Sequence, residues 1–321
     1  MDASCSTRFA RRLRVFVTGI SGLLGSNFAF AVRDKFELTG AYSQHAFLCD
    51  GCNSLQIDLR DSVQVIDALN LARPDWIVHF AAATDVNRCQ DDPSYAKELN
   101  VSATETLASW ASKNNARLLL MSTDSVFDGA TGGYVEYDQP NPINTYAASK
   151  VDAENIVRKI NGHHLIIRAN IYGWNTQPKL SLAEWVLSRL ESGLRVPGFV
   201  DAVFAPLLVN TLSEILTRMI VANAAGTYHL GATDHVSKFE FARLVSTAFG
   251  MSTDLIDKAH MIGALKAPRP LNTWLNPAKY LNEFGNDLPS ISEDLKRFKN
   301  LRDNGFVEKL KQQNFIQNER Q

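Results

Sequence analysis

No apolar run in the 321 residues approaches the roughly 20 that a membrane helix needs, which excludes a spanning helix. An excess of charge of either sign is missing too. Lys+Arg is 33 against 34 Asp+Glu, a formal net charge of -1, so neither nucleic acid nor an anionic membrane surface is favoured as a partner. Cysteine is scarce: Cys5, Cys49, Cys52 and Cys89 are the full set. Cys49-Asp50-Gly51-Cys52 is a C-x-x-C with His45 nearby, yet no second C-x-x-C exists and the segment does not open a helix. A zinc or redox site lacks its usual context there, so no metal site is expected. Reduced thiols in a cytoplasmic protein are the expectation. The first residues carry Arg8, Arg11, Arg12 and Arg14 without an apolar signal core, and residues 1–12 are expected to be a frayed extension. No internal repeat or low-complexity tract stands out.

What is present is a 45% hydrophobic chain, enough for one large or two modest cores. Arg14-Val15-Phe16-Val17-Thr18 reads as a buried strand. It runs into Gly19-Ile20-Ser21-Gly22-Leu23-Leu24-Gly25 and then a helical stretch to Val32. Strand, glycine turn and helix are the context of a dinucleotide fingerprint, although the spacing is G-x-x-G-x-x-G. Gly19 permits the turn, Gly22 lets backbone approach a pyrophosphate, and Gly25 lets helix and strand pack closely. A second strand, Phe36 to Tyr42, ends in Tyr42-Ser43-Gln44-His45. No carboxylate stands there to hold a ribose 2′-hydroxyl or repel a 2′-phosphate. Ser43 and His45 are candidate phosphate partners, so NADP(H) is favoured, with NAD(H) as the alternative. Leu55-Gln56-Ile57 is a third strand, with Asp58 and Leu59 at its end as candidate adenine contacts. Trp76 to Phe80 is a fourth, followed by Ala81-Ala82-Ala83-Thr84, small residues against which a flat ring can lie. Asp92-Pro93 opens a helix expected to run to about Asn115; Asn100, unusual in its interior, is placed to hydrogen-bond the backbone or a water near Lys150, or is a solvated surface residue.

Leu118-Leu119-Leu120-Met121 delivers Thr123 to the end of a fifth strand. Asn144 or Thr145 caps a helix beginning near Tyr146. Tyr146 and Lys150, four apart, share one helix face. A phenol titrates near pH 10, and a neighbouring ammonium is expected to lower that value. With the Thr123 hydroxyl beside the phenol, the three form a general acid/base site for interconverting a carbonyl and an alcohol. Taken alone, a Tyr and a Lys four apart also fit an exposed helix face. Their place after a phosphate-binding turn and a strand-end hydroxyl is what selects the catalytic reading.

A sixth strand, Leu165 to Ile167, completes an alternation that implies a parallel, doubly wound α/β sheet. Ligands of such sheets bind beyond the carboxyl ends of the strands, where Gly22, Ala82, Thr123 and Asn170 fall. Residues 13–168 are expected to form the dinucleotide-binding domain. Residues 169–321 are expected to form a smaller, mixed α/β substrate domain, with segments near 200–230 returning to the first. Ser181 and Ser237 look like capping boxes, Asn210 like another helix cap, and Lys266 to Pro270 like a loop. Arg269 in that loop suits a bidentate grip on phosphate, or is a surface arginine. The tail from Arg302 is expected to be helical and then frayed.

These residues resemble the extended short-chain dehydrogenase/reductase family through Gly19-x-x-Gly22-x-x-Gly25, Ala81-Ala82-Ala83, Asn100, Ser122-Thr123-Asp124 and Tyr146-x-x-x-Lys150. Within it the chain is similar to the dTDP-4-dehydrorhamnose reductase branch. The carrying segments are Ser122 to Gly129, Phe199 to Pro206, Gly226 to Leu230 and Arg269-Pro270. The resemblance implies a Rossmann-like domain, a nicotinamide cofactor, a nucleotide-diphosphate sugar substrate, and pairing as a homodimer through helices near Asn100 and Ala153. It places Ser21, Leu23, Leu24, Phe80, Ala81, Ala82, Thr84, Asn100, Asn170 and Ile171 at the cofactor, and Asn87, Ser125, Phe127 and Arg269 at the substrate. Two positions depart from the branch: Ser125 where it usually has Tyr, and Asn87 where it usually has Asp. Ser125 cannot act as the extra base of a dehydratase, whereas an epimerase stays open. The β subunit of methionine adenosyltransferase resembles the same branch, so a non-catalytic, NADP-binding regulatory subunit is the alternative class.

Overall fold

The apolar, partly β-branched run Arg14–Thr18 forms β1, the strand around which the sheet is ordered. The computed structural model describes residues 11–160, 162–285 and 287–312. Of the expected extension over residues 1–12, residues 1–10 lie outside the described residues, as does the frayed tail past 312, while Arg11 pairs with Asp75. β1 pairs in parallel with β2 (Glu37–Tyr42) on one side and β4 (Trp76–His79) on the other. β3 (Cys52–Gln56) lies beyond β2, while β5 (Arg117–Thr123) and β6 (His164–Tyr172) lie beyond β4. The order is therefore 3-2-1-4-5-6, and the direction of winding reverses between β1 and β4, where a crevice opens at the carboxyl ends.

Parallel pairing forces each connection across a face, and helices cover both. α1 (Leu23–Val32) and α8 (Val209–Val221) pack over Val15, Val17, Val78, Leu119 and Ile167. α2 (Ser62–Ala72), α5 (Ala103–Lys113) and α6 (Thr145–Ile160) cover Phe16, Ile77, Leu118, Leu120 and Ile166. Successive strand residues fall in opposite clusters, as a period of two requires.

The helix expected from Asp92 to Asn115 is broken. After α3 (Val86–Asp91), Asp92 caps α4 (Pro93–Ala96), a π turn spans Lys97–Ser102, and only then does α5 begin. The wider π turn brings Asn100 into the interior, at 1% exposure. The C-x-x-C sits in a turn closed by the Cys52 N–H on the Cys49 carbonyl, and β3 starts at Cys52 rather than Leu55. Both thiols are free, and burial raises them, Cys52 to about 12, away from the reactive thiolate. Among the described residues no His, Cys, Asp or Glu cluster is suited to a metal ion, and no helix is long and apolar enough to cross a membrane.

Past β6 the chain forms a second cluster. α7 (Leu182–Glu191), β7 (Val196–Phe199) and β8 (Val203–Phe204) lead to β9 (Pro206–Leu208), which pairs with β6. α8 and β10 (Gly226–His229) also belong to the large sheet layer, β10 pairing with β6. β11 (Val236–Ser237), α9 (Lys238–Ala248) and β12 (Ile256–Ala259) return to the second cluster, pairing β11 with β8 and β12 with β7. α10 (Ala278–Phe284), α11 (Ile291–Asp303) and α12 (Phe306–Gln312) follow. Ser181 and Ser237 close capping boxes with Glu184 and Glu240. Asn210 is not a cap: α8 starts at Val209 behind Leu208, and the Asn210 amide donates to Asn27.

Candidate active site

Gly19 has φ +68°, and a Cβ there would lie 2.7 Å from the Ala81 nitrogen. The turn thus needs both glycine's backbone freedom and its missing side chain, because the end of β4 passes directly behind it. Gly22 is the N-cap of α1 and supplies no side-chain acceptor, and no acidic residue occupies the first turn. The leading N–H groups of α1 therefore face the crevice without a side-chain acceptor at the cap, which is an anion site in the making. Leu24 and Gly25 point inward and pack, whereas Ser21 and Leu23 are half-exposed. Thr176 and Gln177 both donate to the Ser21 carbonyl, and Lys179 donates to the Thr84 hydroxyl at 3.0 Å. The segment after β6 thus crosses to both walls of the crevice. These three residues carry no local signature that would have marked them.

Ser43, Gln44 and His45 are exposed at the end of β2, with no carboxylate among them. Leu59 packs with Val65 and Leu69, so the expected adenine contact falls to Asp58, whose carboxylate is already paired with Arg60 at 2.6 Å. Phe80, Ala81 and Ala82 remain half-exposed at the end of β4.

Behind this wall runs a chain of buried polar groups. The Ala81 N–H donates to Thr18 Oγ1, which donates to His79 Nδ1 at 2.7 Å. His79 Nε2 lies 3.1 Å from Thr104 Oγ1, and that hydroxyl donates its one proton to the Asn100 carbonyl. The Thr104 proton being committed, His79 carries its own on Nε2. Burial, with Lys150 nearby, lowers the imidazole to about 3, so it is neutral. The Asn100 side chain accepts from the Ala83 N–H at 2.7 Å and donates to Ser149 Oγ at 2.9 Å and to the Ala83 carbonyl. Ser149 in turn donates to the Tyr146 carbonyl. The expected hydrogen bond from Asn100 to backbone near Lys150 is present, at Ala83, and with the bond to Ser149 it occupies the amide in joining the β4 end to α6.

Asn144 is the cap of α6: its Oδ1 accepts from the Ala147 N–H at 2.8 Å, and its amide donates to the Pro268 carbonyl. Tyr146 is partly buried at the crevice, with the Thr123 hydroxyl close enough to its phenol to favour ionisation. Lys150 is buried one turn below at 2% exposure. Burial lowers the Lys150 ammonium to about 8, with Glu154 opposing. The expectation that Lys150 lowers the phenol is corrected. Burial raises Tyr146 well above its ordinary value, the Thr123 hydrogen bond offsets only part of this, and Asp124 and Cys89 add to the rise. Dehydration of the phenolate dominates, and Lys150 is not among the groups that shift it, so Tyr146 rests as a protonated phenol. Glu154 is itself locked to Arg168 at 2.7 Å and to Ser122 at 2.5 Å beneath the site.

Asp124, buried at 2% exposure, gathers the substrate side. It accepts from Thr123, Ser125, Asn170 and Thr273, the last at 2.6 Å across 149 residues of chain. Asn170 thus serves Asp124, while Ile171 is half-buried in the core wall. Ser125 is half-exposed. Phe127 is corrected from a substrate contact to a packing residue. It is 1% exposed, stacked on Tyr134 with centroids 4.1 Å apart and covered by Arg168, so it has no surface to offer. Asn87 accepts from Arg269 at 3.1 Å and from the Ala267 N–H, fixing the Arg269 loop rather than pointing away from it. Burial lowers the half-buried Arg269 guanidinium.

The model described as the RmlD substrate binding domain matches residues 13–302. The chain belongs to the RmlD family. This family lies within the extended short-chain dehydrogenases/reductases. Similar proteins include the "Probable low-salt glycan biosynthesis reductase Agl14" of Haloferax volcanii, 31% identical over 87% of this chain and 95% of that protein. Methionine adenosyltransferase 2 subunit beta of Pongo abelii is 30% identical over 83% of this chain and 81% of that one. The RmlD-family fold recurs in dTDP-4-dehydrorhamnose reductase from Bacillus anthracis in complex with NADP, with TM-score 0.81, 24% identity, and coverage of 90% and 99% of the two chains.

Proposed function

We propose that the protein is an NADPH-dependent reductase of a nucleotide-linked keto sugar, of the 4-keto-6-deoxy class. One observation carries this reading: the strand end at Thr123, whose hydroxyl acts on the Tyr146 phenol, stands over the buried Lys150 beside the crevice where the sheet reverses. The residues present fit the cofactor. The α1 N-terminus offers N–H groups without a capping side chain, the glycine turn leaves no room for a Cβ, and the β2 end holds nothing to repel a 2′-phosphate. NAD(H) is the alternative cofactor. Residues 13–168, joined by the returning β9, α8 and β10, form the dinucleotide half on this reading, and the α7, α9 and α11 cluster forms the substrate half.

When bound, NADPH supplies the hydride. Thr123 holds the carbonyl oxygen beside Tyr146. The phenol, kept protonated by burial, donates its proton to the oxygen as charge develops there. Lys150 stabilises the phenolate left behind, as long as it is charged. A positioned proton donor is worth about 10²–10⁴-fold.

The test is NADPH oxidation with an enzymatically prepared dTDP-4-keto-6-deoxy sugar. Tyr146→Phe is expected to lower kcat by about 10²–10⁴-fold while NADPH still binds. If the wild-type protein binds NADPH and oxidises it with no keto sugar, the reductase reading fails. A second reading, a non-catalytic NADP-binding subunit, is favoured by the likeness to methionine adenosyltransferase 2 subunit beta and by Ser125 and Asn87. It predicts bound NADPH without turnover and a co-purifying enzyme partner. An epimerase would consume no net NADPH. A homodimer is proposed, and light scattering checks it.

A further inference from the structure

A cavity of about 540 Å³ opens at the end of the sheet opposite the crevice, where Arg14, Trp76 and Arg117 begin β1, β4 and β5. The proposed reaction makes no use of it. β1 and β5 flank β4, so the two arginines start from strands about 10 Å apart, a span that two guanidinium groups can close on one ligand. Arg73, at the end of α2, lines the same cavity. Against these three cations stands one lining carboxylate, Asp75. It accepts from the Arg14 backbone N–H at 2.9 Å but from Arg14 Nη2 only at 3.4 Å, and both its oxygens also accept from Arg11. Three lining guanidinium groups less one carboxylate leave an excess of two positive charges, in a chain whose formal net charge is -1.

The donors in this cavity are underused. Arg117 Nη2 donates to the Asn223 and Ala224 carbonyls at 2.8 and 2.9 Å, and its guanidinium stacks 4.8 Å from the Trp76 ring centroid. Among the described residues Arg117 Nε is buried without an acceptor, and so is Arg14 Nε. A buried donor left unpaired costs about 1–3 kcal/mol, and the fold gives no reason to bear it twice in one place. Burial alone lowers the Arg117 guanidinium, with no carboxylate opposing it. Arginines near helix C-termini ordinarily answer the negative pole of the helix, and α2, α5 and α8 all end here. Two of those ends are served otherwise: the Asn114 amide closes on the Trp110 carbonyl of α5, and the Arg73 N–H on the Leu69 carbonyl of α2.

The backbone singles out the same spot. Among the described residues three that are not glycine take a positive φ: Arg73 at +45°, Asn115 at +53° and Asn223 at +52°. All three line this cavity, each at the end of a helix, where glycine is the usual choice. Asparagine tolerates left-handed backbone, but arginine does not favour it. Arg73 keeps its side chain at a conformational cost that glycine would avoid.

We infer that this cavity binds a phosphate monoester, gripped between Arg14 and Arg117 with Arg73 at the rim. Guanidinium forks match phosphate oxygens. A monoester carries close to two negative charges at neutral pH, which balances the local excess, and its three terminal oxygens can serve more than one arginine. The remaining volume, edged by Asn70, Asn114 and Asn115, suits a polar sugar or nucleoside body. The site lies at the opposite ends of the strands from Thr18, Ala81 and Thr123, so it does not rest on the reductase reading.

The experiment is calorimetric titration of the full chain, its crevice saturated with NADPH, with glucose 1-phosphate, adenosine 5′-monophosphate and, as a carboxylate control, malate. The proteins are wild type, Arg14→Met, Arg117→Lys and Arg73→Gly. Wild type should bind a phosphate ester saturably and more tightly than malate, and the tighter of the two esters names the source. Arg14→Met and Arg117→Lys should each weaken ester binding about tenfold or more, the size of one charge-assisted contact, with NADPH affinity unchanged. Arg73→Gly relieves left-handed backbone, so it should melt no lower than wild type and still bind about threefold more weakly. A wild-type chain that binds neither ester, or binds malate as tightly, overturns the inference. Ester affinity equal to wild type in Arg14→Met or Arg117→Lys overturns it as well. Should those two variants not fold, equal affinity in Arg73→Gly overturns it alone.

Discussion

Adding one methyl group at each of two glycines in the same turn should produce opposite defects. At Gly25 a Cβ would overlap the Gly19 carbonyl oxygen and stand 2.7 Å from Ile20 Cα and 2.9 Å from the Gly19 carbonyl carbon. All three are backbone atoms and cannot rotate away. Gly19 cannot retreat either, because the Ala81 backbone closes its other side. α1 must lift off the sheet. Overpacking typically costs 1–3 kcal/mol, and with no flexible neighbour Gly25→Ala belongs at about 3 kcal/mol or above. That is a large part of a total stability of about 5–15 kcal/mol. At Gly22 a Cβ meets only the Gly19 oxygen, at 3.3 Å, and φ is an ordinary -78°. Loss of unfolded-state freedom offsets the small clash, so Gly22→Ala should change stability by less than about 1 kcal/mol. Its methyl stands where backbone must approach a pyrophosphate, so NADPH affinity should fall at least about tenfold. Urea denaturation followed by circular dichroism reads the first effect, and NADPH fluorescence titration the second. Wild-type stability in Gly25→Ala would refute the packing argument. Wild-type NADPH affinity in Gly22→Ala would refute the placement of the diphosphate at this turn.

Lys150 sets the alkaline limit. Its ammonium is lowered to about 8, so the charge that supports the phenolate is present below that pH and lost above it. The reductase rate should be level on the acid side and fall as pH rises past about 8, as a pH series of kcat will show. The sign for stability is opposite: a lysine depressed in the folded state weakens folding below about 8, and the penalty fades as pH rises towards 10.5. Glu154→Gln should cost about 3–5 kcal/mol near neutrality, because it leaves Arg168 buried at 1% exposure without its carboxylate. Burial works to raise Glu154, but Arg168, Ser122 and Arg158 outweigh it and the net value is lowered. Its contribution is therefore complete above its ordinary value of 4.5 and lost as pH falls below, so the gap between wild type and variant in urea melts should narrow on acidification.

The sequence made the local devices legible. The Gly19–Gly25 turn and the Tyr146/Lys150 pair depend on spacings of three and four residues, which any reader of the chain can count. Features built from distant segments were not legible. Asp124 meets Thr273 from across the chain, and Thr176, Gln177 and Lys179 bridge the crevice from beyond β6. Phe127 was misread because its neighbours at the strand end face the cleft, while stacking on Tyr134 turns it inward. The phenol's direction of shift was misread because burial, which dominates it, is invisible in a spacing of four. The π turn has no propensity signature, so Asn100 could be read as a backbone hydrogen-bonder but not assigned to Ala83 and Ser149 in particular.

The return of β9, α8 and β10 to the main sheet sets how the molecule can move and be divided. The backbone passes from one cluster to the other after β6, at β9, and again after β10. Several crossings act as parallel tethers, so the two clusters cannot swing apart about one hinge as the jaws of a two-lobed binding protein do. Access to the cleft then falls to the loop from Met261 to Arg269, held by Asp201, Asn87 and Asn144. A cut after β6 would not release a finished half: it would strip α8 from the face shared with α1 and leave Leu212, Ile215, Leu216 and Met219 without the wall they complete.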